Sequence, residues 1–382
     1  MTGPSSRLYD LELVSPVEFD AIVDSLAGSV YVPFEQSGIW TRMMDGSDPG
    51  RSEYGYIVMR EHGELVALMR AEHFQRKIRS SIVSLTGPVF VAERTPEAER
   101  RFVETLANHL KRDPSVDPMY IRMGVAHPEA IPGTRLAIER GIFDREVIVP
   151  LANTPEDLKK TFSSTTRNLI NRGRRNRVEV REITENRSEF FSRWCFPIFE
   201  ETAERDGFEV QPKHFFVRLL DVMPENVRLY ATYLPAAEGE PAPEAPVAWA
   251  ISNEYHGRGS YYFAGSTKAA QKAGVMPVML NRLLLDLRAS GNTAAGLTGI
   301  GSEIWPELRR LERFKLSFSK EIAEYPPLHD VPLKPAKYAA LRAWLTARQK
   351  GPAAARSAVS RMREAAQRAR RGGASQEPLA HS

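Results

Sequence analysis

Short apolar segments typical of strands alternate with amphipathic segments typical of helices along this chain of 382 residues. YGYIVMR, ELVALMRAE and SIVSLTGPVFV have the composition of strands. In PEAERRFVETLANHLKR, Phe102, Leu106 and Leu110 recur at helical spacing, and MYIRMGV then returns to a strand. The alternation predicts a mixed α/β unit.

A second unit is predicted to begin after EVIVPL. Thr154 can cap a helix, Pro155 suits the first helical position, and Asp157 favours the positive end of the helix dipole. We expect one helix that ends near Gly173. Its buried face is predicted to carry Leu158, Phe162, Thr165 and Leu169.

These segments predict two α/β units in tandem, at residues 1–150 and 151–327, without a repeat at the level of sequence identity. PAKYAALRAWLTARQ predicts a helix at about 334–349 that packs back on the first unit. The Ala/Arg-rich segment 350–382 predicts a basic, flexible tail.

The basic residues are unevenly distributed. The net charge is +4, from 52 basic and 48 acidic residues, but nine basic and two acidic residues follow Leu341. The rest of the chain is therefore close to neutral. Against that background, five arginines between Arg167 and Arg177 form a local cluster, which predicts either a site for an anion or a solvated helix face.

Several common kinds of site lack their sequence signals. The single cysteine, Cys195, excludes an internal disulfide and is predicted to be a buried thiol among aromatic residues. The eight histidines are scattered, so we expect no metal site. The glycines of GLTGIG do not follow the dinucleotide order, and we expect a tight turn and no cofactor.

No apolar run approaches the roughly 20 residues of a membrane span, and no secretory signal is evident, which predicts a cytoplasmic protein.

Several segments, in order from residue 33 to about 327, resemble motifs of one family. The segments are PFEQSGIW (33–40), TGPVFV (86–91), STTRNLINRGRRNRVEVRE (164–182), ETAERDGF (201–208), YYFAGST (261–267) and FKLSFSKEIAEYPP (314–327). Together they are similar to the Fem family of aminoacyl-tRNA-dependent peptidyltransferases, which look like two tandem acetyltransferase-type (GNAT) domains. The resemblance implies that an amino acid moves from aminoacyl-tRNA to an amine, in most of the family an amine of a peptidoglycan precursor.

The resemblance also implies site residues. Lys315 would donate to the tetrahedral oxyanion or contact the ester end of the tRNA. Arg205 would bind a phosphate of the acceptor, or else form a structural ion pair with Glu201 or Glu204. The other substrate-binding residues implied are Gln36, Trp40, Tyr120, Tyr261, Tyr262, Gly265 and Ser266, although strand tyrosines also serve as packing. The residues implied in tRNA binding are Arg167, Arg174, Arg175 and Arg177.

Two positions depart from the family pattern. Gly124 stands where the family often has Asp, and Thr298 stands where it usually has Asp or Asn. The carboxylate proposed as proton acceptor is therefore missing, and we expect a substrate-assisted transfer, a water-mediated transfer or a relocated base. The basic tail would either replace a missing helical hairpin as an arm for tRNA or remain solvated.

Four functions compete at this point. The first is tRNA-dependent aminoacylation of a peptidoglycan precursor, with possible peripheral contact to a lipid-linked form, and the second is the same chemistry on a secondary metabolite or small peptide. An acyl-CoA-dependent N-acyltransferase is disfavoured because the pyrophosphate loop is missing. A non-enzymatic RNA-binding protein is favoured by arginine content alone, and no DNA partner is expected.

Overall fold

The computed structural model describes residues 9–44, 48–139, 141–151, 154–236, 241 and 243–346. The predicted basic tail, 350–382, lies outside the described residues, as does the end of the helix predicted at 334–349. Among the helices that are described, none is long and apolar enough to cross a membrane.

The strands, in chain order, are β1 (Asp10–Val14), β2 (Arg51–Glu61), β3 (Glu64–Arg76), β4 (Arg79–Val83), β5 (Val89–Phe90), β6 (Tyr120–Gly124), β7 (Arg135–Leu136), β8 (Arg145–Pro150), β9 (Glu179–Ile183), β10 (Val227–Tyr233), β11 (Ala248–Tyr255), β12 (Arg258–Ser266), β13 (Ala294–Gly299), β14 (Glu321–Glu324) and β15 (Leu328–Pro332).

The α-helices are α1 (Pro16–Ser25), α2 (Gly38–Met44), α3 (Pro96–Arg112), α4 (Pro155–Thr161), α5 (Ser164–Arg175), α6 (Arg187–Phe190), α7 (Phe196–Asp206), α8 (Lys213–Val222), α9 (Lys268–Ala273), α10 (Met276–Ala289), α11 (Arg309–Lys315) and α12 (335–346). A π-helical turn, Phe191–Cys195, joins α6 to α7, and short 3₁₀ turns cover Phe34–Gln36, Pro128–Ala130 and Pro306–Leu308.

The strands form two mixed sheets with the same plan. The first has the order β1-β2-β3-β4-β6-β15-β7, with β5 also paired to β3, and the second has the order β9-β10-β11-β12-β13-β8-β14. In each, four antiparallel strands are followed by a parallel neighbour, β6 beside β4 and β13 beside β12. The predicted mixed α/β fold is confirmed.

One strand crosses between the two sheets. The second sheet consists of the consecutive strands β8 to β14, with β8 between β13 and β14. β15 follows the second sheet but lies between β6 and β7 of the first. α12 covers that region, where Tyr338 and Leu341 pack on Tyr120. The domain boundaries 1–150 and 151–327 stay a prediction.

Each sheet is covered by an amphipathic helix. Thr95 caps α3 by accepting the N–H of Ala98 at 3.1 Å, and Phe102, Leu106 and Leu110 of α3 are buried on the first sheet as their spacing predicted. On the second sheet α10 buries Leu280, Leu283, Leu284 and Leu287. Each such side chain stabilises the fold by about 1.5–3 kcal/mol relative to exposure. Cys195 is buried, as predicted.

The single helix predicted after Thr154 is in fact two helices, α4 and α5. Phe162 is extended, and the side chain of Ser163 accepts the N–H of Thr166 at 3.1 Å as the cap of α5. The break occurs because the Ser163 N–H donates to the carbonyl of Ser317 at 2.7 Å, a tertiary hydrogen bond that a continuous helix would not make. The prediction was therefore wrong about continuity.

The buried face of α5 also differs from the predicted one. Thr166, Ile170 and Gly173 are buried, rather than Thr165 and Leu169. Gly173 does not end the helix, which continues to Arg175. A Cβ at Gly173 would lie 2.3 Å from Cγ2 of Val278, so this glycine lets α5 approach α10 closely.

Candidate active site

A cavity of about 520 Å³ lies where loops of the first sheet meet one end of the second. The first sheet and its connections contribute residues 30–35, 85–90 and 124. The second contributes residues from β8, from the β11–β12 hairpin and from β13, together with the segment 325–328.

The second sheet opens beside this cavity because β12 and β13 pair over a short stretch. Parallel pairing joins Arg258–Ser260 to Ala294–Gly296, and the register on β8 then shifts between Gly296 and Gly299. Within the irregular stretch Thr298 has a φ of +60°, an uncommon conformation for a β-branched residue. Its N–H leaves the strand ladder and donates to Oε1 of Glu146 at 2.8 Å.

Glu146 is the centre of a buried polar cluster. It begins the buried part of β8 and has 4% of its surface exposed. Its Oε2 accepts from Nη2 of Arg258 at 3.0 Å and from the hydroxyl of Tyr325 at 2.8 Å. The Arg258 guanidinium also lies 3.7 Å from the ring centroid of Tyr31. The carboxylate is thus held by donors from three separate segments, which favours a rigid wall.

The glycines of GLTGIG make room for this cluster. A Cβ at Gly296 would lie 2.2 Å from Oε1 of Glu146, and one at Gly299 would lie 2.6 Å from Cβ of Phe143. Close packing therefore accounts for these glycines.

Lys315 ends α11 behind Thr298. Its Nζ donates to Oγ1 of Thr298 at 2.9 Å and to the carbonyl of Gly299 at 2.7 Å. Burial lowers the pKa of Lys315 to about 7, although the negative charge of Glu146 acts in the opposite direction. Thr298 lines the cavity, whereas Lys315 lies beneath it. The lysine and the hydroxyl thus form one hydrogen-bonded pair at the cavity wall.

A second carboxylate, Glu35, lies on the wall contributed by the first unit. It belongs to the 3₁₀ turn Phe34–Gln36, and its backbone carbonyl accepts from Nη1 of Arg70 at 3.4 Å. The hydroxyl of Tyr262 donates to Oε1 of Glu35 at 3.3 Å. Burial raises the pKa of Glu35, and the charge of Glu146 raises it further.

Two of the residues discussed in the sequence analysis, Tyr262 and Thr298, line the cavity. Gln36 is buried beside it, where its amide donates to Thr86 Oγ1 at 2.9 Å and its Oε1 accepts the N–H of Arg70 at 2.7 Å. Trp40 packs edge-on against Phe34 in an aromatic core.

The remaining predicted substrate-binding residues lie outside the cavity wall. Tyr120 is fully buried against Tyr338. Tyr261 belongs to the core of the second sheet. A Cβ at Gly265 would lie 2.6 Å from Nε1 of Trp249, so this glycine permits close packing. The backbone N–H of Ser266 donates to Thr202 Oγ1 at 3.0 Å.

Arg205 is occupied by its own neighbours. Its Nε donates to Asp206 at 2.9 Å, and its Nη1 donates to the carbonyl of Ser266 at 2.6 Å. The structural ion pair that the sequence allowed is therefore present, with Asp206 rather than with Glu201 or Glu204.

The predicted tRNA-binding arginines lie on α5 and just after it. Nη1 of Arg167 donates to the carbonyl of Phe162 at 2.6 Å. The other three are exposed and make no ion pair with any residue that the structure describes: Arg174, Arg175 and Arg177. They form a basic edge at the end of α5, away from the cavity wall.

Several site residues could not be selected from the sequence. Glu146 and Arg258 are separated by 112 positions, and no local spacing links them. One signal was available for Glu146, because it is the acidic residue in an otherwise apolar strand, EVIVPL. Glu35 and Tyr325 lie inside two of the family-like motifs, PFEQSGIW and AEYPP, but nothing in those motifs distinguishes them from their neighbours.

No group of three or more His, Cys, Asp or Glu side chains that could hold a metal ion occurs in the described part of the chain. The polar groups at the cavity can instead bind an amine, hold a proton and donate to an oxyanion.

The chain belongs to the class of proteins built from two mixed α/β sheets of the same plan, with a cavity where the sheets meet. Residues 144–241 match the FemAB family. The crystal structure of FemX superposes with a TM-score of 0.68 at 14% identity, covering 87% of this chain and 99% of that one. The superposition shows that this chain shares the fold of FemX, and the family match over residues 144–241 agrees with the resemblance drawn from the sequence motifs.

Two other solved structures are more distant. A tandem GNAT protein from the clavulanic acid biosynthesis pathway has a TM-score of 0.49 at 9% identity, covering 85% of this chain and 98% of that one. The C-terminal domain of a putative lysylphosphatidylglycerol synthetase from Agrobacterium fabrum has a TM-score of 0.48 at 13% identity, covering 87% and 97%. No curated protein matches the chain in sequence.

Proposed function

We propose that this protein is an aminoacyltransferase that moves an amino acid from aminoacyl-tRNA to an amine of a peptidoglycan precursor. The FemAB match and the fold shared with FemX support this assignment. Aminoacyl-tRNA as the donor would place the reaction in the cytoplasm.

The observation that carries the proposal is the pair formed by Lys315 and Thr298 at the open end of the second sheet. Attack of an amine on an aminoacyl ester places negative charge on the carbonyl oxygen. A preorganised donor to that oxygen contributes about 3 kcal/mol to lowering the barrier. Thr298 lies on the cavity wall, where its hydroxyl accepts from Lys315 at 2.9 Å and donates to the carbonyl of Leu297 at 2.6 Å. To act, the hydroxyl would turn from that carbonyl to the oxyanion, and Lys315 would polarise it. We therefore assign the donor role to this pair, with Lys315 as its charged member.

The donor substrate would meet the basic edge of α5. Arg174, Arg175 and Arg177 are exposed there, and phosphates of a tRNA acceptor stem are suitable partners because binding releases counterions. Arg167 would support this edge through its hydrogen bond to Phe162.

One observation favours a second candidate, the same transfer to an amine of a small peptide or metabolite that lacks phosphates. Arg205, predicted to hold a phosphate of the acceptor, is paired with Asp206. Arg258 on the cavity wall is paired with Glu146. The cavity is lined by three carboxylates, and both of its arginines, Arg94 and Arg258, are paired. Such a lining suits a cationic amine better than a diphosphate.

One assay tests both candidates. Purified protein is incubated with tRNA charged with a labelled amino acid and with one of two acceptors: a lysine-containing stem pentapeptide on its nucleotide carrier, or the same peptide without the carrier. Transfer that is lost when RNase is added supports tRNA dependence. Preference for the carrier-linked peptide supports a peptidoglycan precursor, and equal use of the free peptide supports the second candidate. Transfer that survives RNase and requires acyl-CoA would refute both.

A further inference from the structure

We propose that the carboxylate of Glu35 binds the ammonium group of the acceptor in the cavity and takes its proton. This inference rests on the proposed function, since it names the proton acceptor for an amine that is to be acylated. It assigns to Glu35 the role of the carboxylate that is missing at Gly124, on the wall of the same cavity.

Three carboxylates line the cavity, Glu35, Asp144 and Glu146, and they differ in how fully they are occupied. Glu146 accepts from the Thr298 N–H, from Arg258 and from the Tyr325 hydroxyl, so both of its oxygens are engaged. For Glu35, the sole side-chain donor among the described residues is Tyr262, at the long distance of 3.3 Å. Oδ1 of Asp144 is buried and has no hydrogen-bond partner among the described residues. Glu35 and Asp144 therefore keep acceptor positions for a ligand, whereas Glu146 serves the wall. We assign the role to Glu35 because the Tyr262 hydroxyl orients its carboxylate within the cavity.

The cations near Glu35 already have partners. Nη2 of Arg70 donates to Glu72 at 2.8 Å, and Nη2 of Arg258 donates to Glu146 at 3.0 Å. No ion pair within the described chain neutralises Glu35. An ammonium is the ligand that such a carboxylate accepts most favourably, because a charge-assisted hydrogen bond is about twice as strong as a neutral one.

The groups that face Glu35 also set its proton affinity. They come from four elements: Tyr31 before the 3₁₀ turn, Arg70 on β3, Glu146 on β8 and Tyr262 on β12. Burial is the largest influence and raises the pKa of Glu35. Hydrogen bonds from its own backbone N–H and from Tyr262 lower the pKa, the Glu146 charge raises it, and Arg70 lowers it. A carboxyl group with a raised pKa is a better base for an amine at neutral pH than an ordinary carboxylate.

The proton balance of the step is complete. Glu35 takes one proton from the acceptor ammonium, which leaves a neutral amine. The nitrogen lone pair attacks the ester carbonyl carbon, the C–N bond forms and the C–O bond to the tRNA ribose breaks. The ribose oxygen leaves with the second nitrogen proton, and Glu35 returns its own proton to solvent. The products are an amide and a tRNA with a free hydroxyl.

The test compares Glu35→Gln and Glu35→Asp with the wild type on two stem peptides. One carries the lysine amine, which is protonated at pH 7, and the other carries an aminooxy group, which is already neutral. We expect Glu35→Gln to lower kcat/KM for the lysine peptide by about 10²–10⁴-fold and to abolish the rise of the rate with pH on the acid side. The aminooxy peptide should lose less than tenfold, and Glu35→Asp should retain part of the lysine activity. Equal losses on both peptides, or no loss on either, would overturn the inference.

A binding measurement separates this inference from the proposed function. Titration calorimetry without tRNA compares the lysine peptide with its norleucine analogue, which lacks the amine. The wild type should prefer the lysine peptide by about tenfold or more, and Glu35→Gln should lose that preference. A wild type without the preference refutes the role of Glu35, even where transfer is observed. If the wild type prefers the lysine peptide but transfers nothing from aminoacyl-tRNA, the proposed function alone is refuted. Glu64→Gln, an exposed acid on β3, is the matched control and should behave as the wild type.

Discussion

Burial of the Lys315 side chain makes the stability of this protein depend on pH. The pKa of Lys315 is about 7 in the folded protein, whereas a lysine in the unfolded chain titrates near pH 10.4. Between these values the unfolded chain binds a proton that the folded protein lacks. The free energy of unfolding therefore increases as the pH rises through this range. Below about pH 7 both states are protonated, and the cost of burying the charge is present in full.

Lys315→Met removes this dependence. At pH 7 the variant should be at least as stable as the wild type, because no charge is buried, while its transfer rate should fall by about 10²–10³-fold. As pH rises from 7 to 9.5, the wild type should gain stability relative to the variant by up to about 1.4 kcal/mol per pH unit. Urea unfolding at several pH values measures this, with the exposed Lys320→Met as control. A constant difference across that range would mean that Lys315 titrates normally.

Lys315 and Tyr262 could be selected from the sequence because the family resemblance implies a role for each. Glu35 also lies in a motif, PFEQSGIW, but it could not be selected, because its role depends on its contact with Tyr262, a residue 227 positions away. The same holds for the contact between Glu146 and Arg258. Whether a carboxylate is hydrogen-bonded within the cavity wall or free to bind a ligand depends on donors that are distant in the sequence. No local spacing reveals those donors.

At the scale of elements, α5 shows where local signals are reliable and where tertiary contacts override them. The Thr154 cap of α4 was predicted correctly. The break after Phe162 was not, because it depends on the contact of Phe162 with Phe318, with ring centroids 5.0 Å apart, and on the hydrogen bond from Ser163 to Ser317. α5 therefore directs its arginines differently from a continuous helix.

The basic edge of α5 should determine the salt dependence of tRNA binding. Arg174→Ala/Arg175→Ala removes two exposed charges without breaking an ion pair among the described residues. We expect weaker tRNA binding and a slope of log affinity against log salt that is smaller by about one for each phosphate that the variant no longer neutralises. Fluorescence titration from 50 to 200 mM salt measures both quantities. Lys111→Ala/Arg112→Ala, an exposed basic pair at the end of α3, is the control. If the two double variants had equal slopes, the α5 arginines would not contact tRNA phosphates and would be a solvated helix face.

At the scale of the whole molecule, β15 makes the first sheet depend on a segment that follows the second sheet in the chain. The alternation of strands and helices indicated two α/β units, but strand partners that lie in the other half of the chain leave no trace in local periodicity. β15 supplies Asp330, which is buried and accepts from Nε of Arg122 at 2.6 Å and from Nη2 at 2.9 Å, across 208 positions. Tyr338 of α12 donates to the same carboxylate at 2.9 Å.

This topology predicts which fragments can fold. Residues 9–141 contain the first sheet without β15, so Arg122 would keep Glu139 but lose Asp330, which costs up to about 3–5 kcal/mol. That fragment should lack a cooperative unfolding transition in urea. Joining residues 326–346 to its N-terminus through a flexible linker should restore the transition, and Asp330→Asn in the joined fragment should weaken it. Residues 142–325 contain every strand of the second sheet and should unfold cooperatively alone. Cooperative unfolding of 9–141 without the added segment would show that the first sheet does not need β15.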